Sequence, residues 1–277
     1  MCEIYAIDFE YDGSNLSDFW FIVCTFNSDG GASTIDAGSA INMETVQMSR
    51  GAHFELTSAK YDKALEATFQ ICKNPDMFSP DEREITRSEF RKISMWLNRR
   101  KFLPFRIKDP DDLQSDICYF NASFNLSKIQ IAGKTYGIEL KMMTDSPHGH
   151  GEEVTAHMSF ESQNDSAEFS CSGDEYGFIY PNMSITCAGD GDIYLSCDLG
   201  RCDFKVKGCS NGEVITIDGT RRIITSSSST HDIANDFNYE FFRAGITKES
   251  RDNVVISKGI PCSVLISYEP TIKDVPY

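Results

Sequence analysis

The sequence predicts a mainly β protein of two domains with one packed helix, and three observations carry that prediction. Apolar and polar residues alternate with period two through most of the 277 residues, the spacing of half-buried strands. Residues 86–100 instead repeat their apolar groups at three and four residues, as an amphipathic helix does. Between the halves, AspSerProHisGlyHisGlyGluGlu (145–153) is small, polar and without a core pattern. It puts the boundary near Gly151 and divides the chain into 1–150 and 151–277.

In the first domain, AspPheGluTyrAspGlySer (8–14) places a turn before a long apolar strand at 18–26, and SerAspGlyGlyAla (28–32) reads as a loop. Two short alternating strands follow, AlaIleAsnMetGluThrValGlnMet and HisPheGluLeuThr. Residues 61–73 lean helical in composition. Leu65, Ala67, Phe69 and Ile71 nevertheless alternate with Glu66, Thr68, Gln70 and Cys72, so period two outweighs propensity and predicts a strand.

The helix opens with Thr86 and Glu89 in the form of a capping box. Phe90, Ile93 and Leu97, with Trp96 beside them, make its apolar face. Arg99, Arg100 and Lys101 suit the negative end of the helix dipole, and Pro104 forbids continuation. A long strand at 117–131, a Gly-containing turn and a return strand predict an antiparallel hairpin. The second half contains only short strands between Gly, Asn and Asp turns, the pattern of a sandwich or jelly roll, with SerSerSerSerThr (226–230) as an exposed loop or tip.

Composition narrows the function. The 26 Lys and Arg against 42 Asp and Glu give a net charge of −16, which argues against tightly held nucleic acid. Eight basic residues against one acidic between Arg87 and Lys108 make that segment +7 and leave −23 for the rest. The band is read either as a solvated helix face or as a surface that docks on an acidic neighbour, including another copy of the chain. No apolar run approaches the ~20 residues of a membrane span, and no secretion signal is expected at the N-terminus. Ten cysteines without a Cys-x-x-Cys pair read as reduced, mostly buried thiols, and Asn121, Asn125 and Asn182 as unglycosylated.

Candidate chemistry is sparse. His148 and His150 could face a metal from a Gly-rich loop, but no third ligand stands at a workable spacing, so they are read as linker residues. Asp190 and Asp192 around Gly191 lack the rest of a calcium loop and read as a hairpin turn. Cys197, Cys202 and Cys209 lack zinc-knuckle spacing and read as core thiols. No nucleophile elbow, Walker loop or dinucleotide fingerprint is present, so neither an enzyme nor a cofactor is expected.

The order of features resembles the distal tail protein (Dit) family of long-tailed bacteriophages. Four places in the first half carry it: PheGluTyrAspGlySer, PheGlnIleCysLysAsn, ArgLysIleSerMetTrpLeu and the hairpin ending near AspSerPro. In the second half it rests on TyrProAsnMetSerIleThrCysAlaGlyAspGlyAspIle and AsnGlyGluValIleThrIleAspGly (211–219). The chain departs from the family's pattern in lacking aromatics after AspSerPro and in its many cysteines.

The resemblance implies a tail-tube-like β-sandwich or split barrel with one packed helix, followed by a galectin-like β-sandwich. It implies a structural virion protein at the tail tip, assembled in the host cytoplasm as a homo-hexameric ring. The ring would join the tail tube protein to the tip or baseplate hub protein and hold receptor-binding or fibre components, with DNA passing only transiently through the lumen and no membrane insertion. Ring contacts are assigned to Arg91, Lys92, Trp96, Arg99, Arg100 and Lys101, with core burial the stronger reading of Trp96, since aromatics at helical spacing usually pack inward. The alternatives are an ordinary tail-tube subunit or a carbohydrate-binding module that stacks sugars on Tyr176, Phe178 and Tyr180. Two residues apart, those three would share one face of a strand, where core burial competes with a sugar site.

Overall fold

A computed structural model describes residues 8–26, 39–48, 51–108, 118–249 and 251–273. The chain is mainly β and separates into two units, Met1–Gly151 with the segment from Ile272 onward, and Glu152–Thr271. The loop predicted at 28–32 lies outside the described residues.

In the first unit, β1 (Asp8–Tyr11) turns through Asp12 and Gly13, both at positive φ, into β2 (Ser14–Asn15). Asp-Gly is the sequence that a two-residue hairpin turn of this hand favours. The strand predicted at 18–26 begins only at Phe21 (β3, Phe21–Cys24). Leu16–Phe19 is a 3₁₀ turn and Trp20 is left-handed, so extended backbone cannot start earlier. Among the described residues, β4 (Ile41–Gln47) and β5 (Phe54–Tyr61) pair only with each other. β6 (Glu66–Lys73) alternates half-buried and buried without a break, the period-two pattern of its sequence.

The first unit also contains β7 (Leu103–Lys108), β8 (Phe120–Ile131), β9 (Lys134–Thr144) and a short β10 (Gly149–His150), which pairs with residues Thr271–Ile272. Its main sheet is antiparallel, in the order β2-β1-β7-β8-β9-β6-β3. One face carries Phe9, Phe69, Phe105 and Phe124, and helix α1 (Arg87–Leu97) adds Ile93, Trp96 and Leu97 to the same core. Trp96 stacks on Phe9 and Phe19, and its indole N–H donates to the Tyr11 carbonyl at 3.0 Å.

The helix is shorter than the predicted 86–100. Thr86 is the N-cap of a complete capping box with Glu89, but the helix ends at Leu97, where Asn98 caps it. The basic run therefore lies past the helix rather than in its last turn. Of the three, Arg99 alone reaches back, its Nε donating to the Trp96 carbonyl at 3.1 Å.

The second unit consists of β11 (Val154–Phe160), β12 (Ser166–Phe169), β13 (Gly177–Ile179), β14 (Asn182–Cys187), β15 (Gly191–Cys197), β16 (Cys202–Cys209), β17 (Val214–Asp218), β18 (Ile223–Ser226), β19 (Ala244–Ile246), β20 (Asn253–Ser257) and β21 (Cys262–Tyr268). They form a five-stranded sheet, β11-β21-β14-β17-β18, a four-stranded sheet, β12-β20-β15-β16, and a small β13-β19 pair. Inward residues of both larger sheets, among them Ile185, Val264, Leu195 and Phe204, belong to one core. This is a β-sandwich.

Candidate assembly surface

The β4–β5 hairpin is the first unit's most unusual element. Its register pairs Ile41 with Tyr61, Met43 with Ala59, Thr45 with Leu56 and Gln47 with Phe54 on one face. Asn42 with Lys60, Glu44 with Ser58 and Val46 with Glu55 occupy the other, and a bulge at Thr57 keeps the two faces sorted. The first face is mainly apolar, with Thr45 and Gln47 as its polar members, yet Met43, Phe54 and Leu56 are 60%, 64% and 57% exposed. A lone two-stranded hairpin is marginal in water, so a face of this composition calls for cover.

The basic band lies elsewhere on the same unit. Arg91 and Lys92 are exposed on α1, and Arg99, Arg100 and Lys101 are exposed after it. Trp96, grouped with them by sequence, is buried at 7% exposure, with its ring faces and its N–H engaged inside the unit. Beneath α1, Lys73 is buried, donating to the Glu82 and Glu84 carbonyls and pairing with Glu89 at 2.8 Å.

Residues 145–150, read as linker, are held within the first unit. His150 exchanges both main-chain hydrogen bonds with Tyr119, and its Nε2 is 3.4 Å from Asp145. His148 sets its ring edge-on to Tyr61 at 4.7 Å. The two imidazoles thus serve different neighbours.

In the second unit, Tyr176 and Phe178 are 62% and 51% exposed, so the burial weighed for them from sequence does not occur. Tyr180 is half-buried, with the Arg222 guanidinium 3.9 Å from its ring centre; Arg243 lies 4.9 Å from that of Phe178. The three aromatics are therefore not one open platform. Asp190 accepts from the Asn211 amide, and Asp192 accepts from the Gly208 amide and pairs with Lys205 at 3.1 Å, which fits the hairpin reading of both.

Sequence reasoning missed one buried polar cluster. Glu213 accepts from the Ser226 hydroxyl, the Ser210 amide and His231 Nδ1, with Cys209 beside it. The contact anchors the serine-rich loop, in which Ser226 and Ser228 are half-buried. His231 is held above the ordinary histidine value: burial pushes it down, but Glu213 more than reverses this. Glu213 is held below the carboxylate range: burial raises it, and Ser226, Ser210 and His231 outweigh that. Among the described residues this is the one group of three metal-ligating side chains brought together. Its carboxylate oxygens already face protein donors, which accounts for the cluster without an ion.

Comparison with known proteins places these features. A family model described as a phage tail protein N-terminal domain matches residues 4–146, and one described as a phage tail C-terminal domain matches residues 148–268. The SPbeta prophage-derived uncharacterized protein YomH of Bacillus subtilis (strain 168) is 26% identical over 162 residues. That alignment covers 58% of this chain and 62% of YomH, less than two thirds of the relative's length. The crystal structure of SPP1 Dit (gp 19.1), a hub adsorption apparatus protein of phages infecting Gram-positive bacteria, superposes with a TM-score of 0.65 at 14% identity. It covers 95% of this chain and 98% of that one, which establishes a shared fold.

Proposed function

The chain belongs to this family of phage tail proteins, and on that premise we propose that it forms a closed hexameric ring at the distal end of the tail tube. The ring joins the tube to the tip or baseplate hub, and the second unit holds receptor-binding or fibre components on the outside. The observation that carries this reading is the exposure of Met43, Phe54 and Leu56 on one face of the β4–β5 hairpin. Repetition of one head-to-tail contact between two different patches closes a ring when the rotation allows it, and covers that face in every copy. The exposed Arg91, Lys92, Arg99, Arg100 and Lys101 meet acidic neighbours across the same junction, in a chain whose remainder is strongly acidic. Surplus acid on the lumen wall repels DNA phosphates and lets the genome slide through.

Negative-stain microscopy of the purified protein tests the proposal. Closed six-fold rings support it, and long polymers assign the chain to the tube instead. A strictly monomeric protein at high concentration, also when mixed with tail components, removes the reading.

A second reading, carbohydrate binding by the second unit, is favoured by the exposure of Tyr176 and Phe178. Binding of cell-wall polysaccharide that is lost in Tyr176→Ala supports it; silence on a glycan array ends it.

A further inference from the structure

Two thiols outside the proposed assembly surface stand in an arrangement that core packing does not require. Cys197 closes β15 and Cys202 opens β16, and the register makes them direct cross-strand partners. The Arg201 amide donates to the Asp198 carbonyl at 3.3 Å within the turn, while the Asp198 amide donates across to the Val254 carbonyl of β20 at 3.1 Å. Successive residues of β15 face alternate neighbours, so Cys197 turns its main-chain groups to β16 and forms a hydrogen-bonded pair with Cys202. Cα atoms in such a pair are about 5.5 Å apart, inside the roughly 4.4–6.8 Å span of a disulfide.

The turn is held in place from outside. Arg243 donates through Nε to the Gly200 carbonyl at 2.6 Å and through Nη2 to that of Arg201 at 2.8 Å. A Cβ at Gly200 would lie 1.8 Å from the Arg243 carbonyl oxygen, so the turn fits no larger residue. The sulfurs are placed by a braced hairpin rather than a loose loop.

The two thiols are also unequal. Cys202 sulfur lies 3.4 Å from both the amide and the carbonyl of Arg243. The Cys197 S–H donates to Asn253 Oδ1 at 3.4 Å. The neighbouring Cys197 thiol holds Cys202 below the ordinary cysteine value against the upward push of burial, and the Arg243 charge adds to the effect. The Cys202 thiol and burial push Cys197 up. An activated sulfur beside a proton-holding partner is the asymmetry of a reactive dithiol.

We propose that Cys197 and Cys202 are a peroxide-responsive dithiol that closes to a disulfide across the β15–β16 hairpin. The Cys202 thiolate attacks hydrogen peroxide, breaks its O–O bond, and becomes a sulfenic acid with release of one water after proton uptake. Cys197 then attacks that sulfur, forms the S–S bond, and its proton leaves with the hydroxyl as a second water. Two thiols are oxidised and one peroxide is reduced to two waters. Both cysteines are buried, but the turn residues Asp198 and Arg201 are exposed, so a small oxidant has a short path.

The test uses the full chain, free of reductant, exposed to hydrogen peroxide and then alkylated with N-ethylmaleimide under denaturing conditions. Cleavage after Arg201 puts the two cysteines in different peptides, so a disulfide holds these together as one linked species. Linkage should form about tenfold faster than free Cys171 is lost, since that buried thiol has no activating partner but the Tyr268 hydroxyl. In Cys197→Ser, dimedone should trap a sulfenic acid at Cys202. Recovery of Cys197 and Cys202 in alkylated form while Cys171 oxidises at an equal rate overturns the proposal. The mapping needs no variant and reads the same on monomer or ring, so it stands apart from the assembly question.

Discussion

The carboxylate of Glu89 joins helix to sheet: Oε1 lies 2.8 Å from the buried ammonium of Lys73, while Oε2 accepts from the Thr86 amide and hydroxyl at 2.7 Å. One side chain thus closes the capping box of α1 and satisfies the cation that continues the inward row of β6. Glu89→Gln should cost about 2 kcal/mol, less than the full penalty of breaking a buried pair because Glu89 is partly exposed. Lys73→Met should cost a similar amount, and the double variant less than the sum of the two. Thermal melts of the three variants check this.

The same carboxylate sets an acid limit. Burial pushes Glu89 up, but Lys73 and the Thr86 donors bring it net below the usual range. A depressed carboxylate contributes stability that is complete above its unfolded value of about 4.3 and disappears as pH falls through the folded value. Near-ultraviolet circular dichroism of the stacked Trp96 should therefore hold at mildly acidic pH and collapse below it, and Glu89→Gln should flatten that transition.

In the second unit, Glu213 and His231 give a different profile. The lowered Glu213 contributes above its unfolded value, and the raised His231 contributes below about 6.5 and is lost as pH rises through its folded value. The pair should stabilise most between about pH 4.5 and 6.5. His231→Gln should remove the fall in melting temperature above that window, as calorimetry across pH would show.

Met43→Glu with Phe54→Glu should leave the monomer's melting temperature nearly unchanged, within about 0.5 kcal/mol, because both side chains are exposed. The same variant should abolish rings. Sedimentation velocity separates the two effects, and a ring that survives both charges places the contact elsewhere.

Arg99→Glu with Arg100→Glu should give a folded monomer that no longer assembles at physiological salt. If assembly persists, the basic run is only a solvated surface.

The sequence made the local devices legible. Thr86 and Glu89 announced the helix start, and the alternation from Glu66 to Lys73 outweighed a helical composition because sheet burial acts on every second residue. What alternation does not reveal is whether an apolar face meets its own core. The β4–β5 strands read like any others, yet Met43, Phe54 and Leu56 on their apolar face are exposed. Phe178 likewise lies on a strand of three residues paired only over that length, too short for period two to fix which side is buried. Asn98 stops α1 before the basic run because its side chain is drawn to the Phe124 carbonyl, a contact 26 residues away in sequence. The Glu213–His231 cluster depends on strand ends meeting a loop, and no spacing rule anticipates that.

Because the chain returns to the first unit at Ile272, the second unit is an insertion moored at both ends. After a single proteolytic nick near residues 151–153 it would stay joined to the first unit only through the short segment from Ile272 onward, which belongs to that unit by packing and not by a covalent bond.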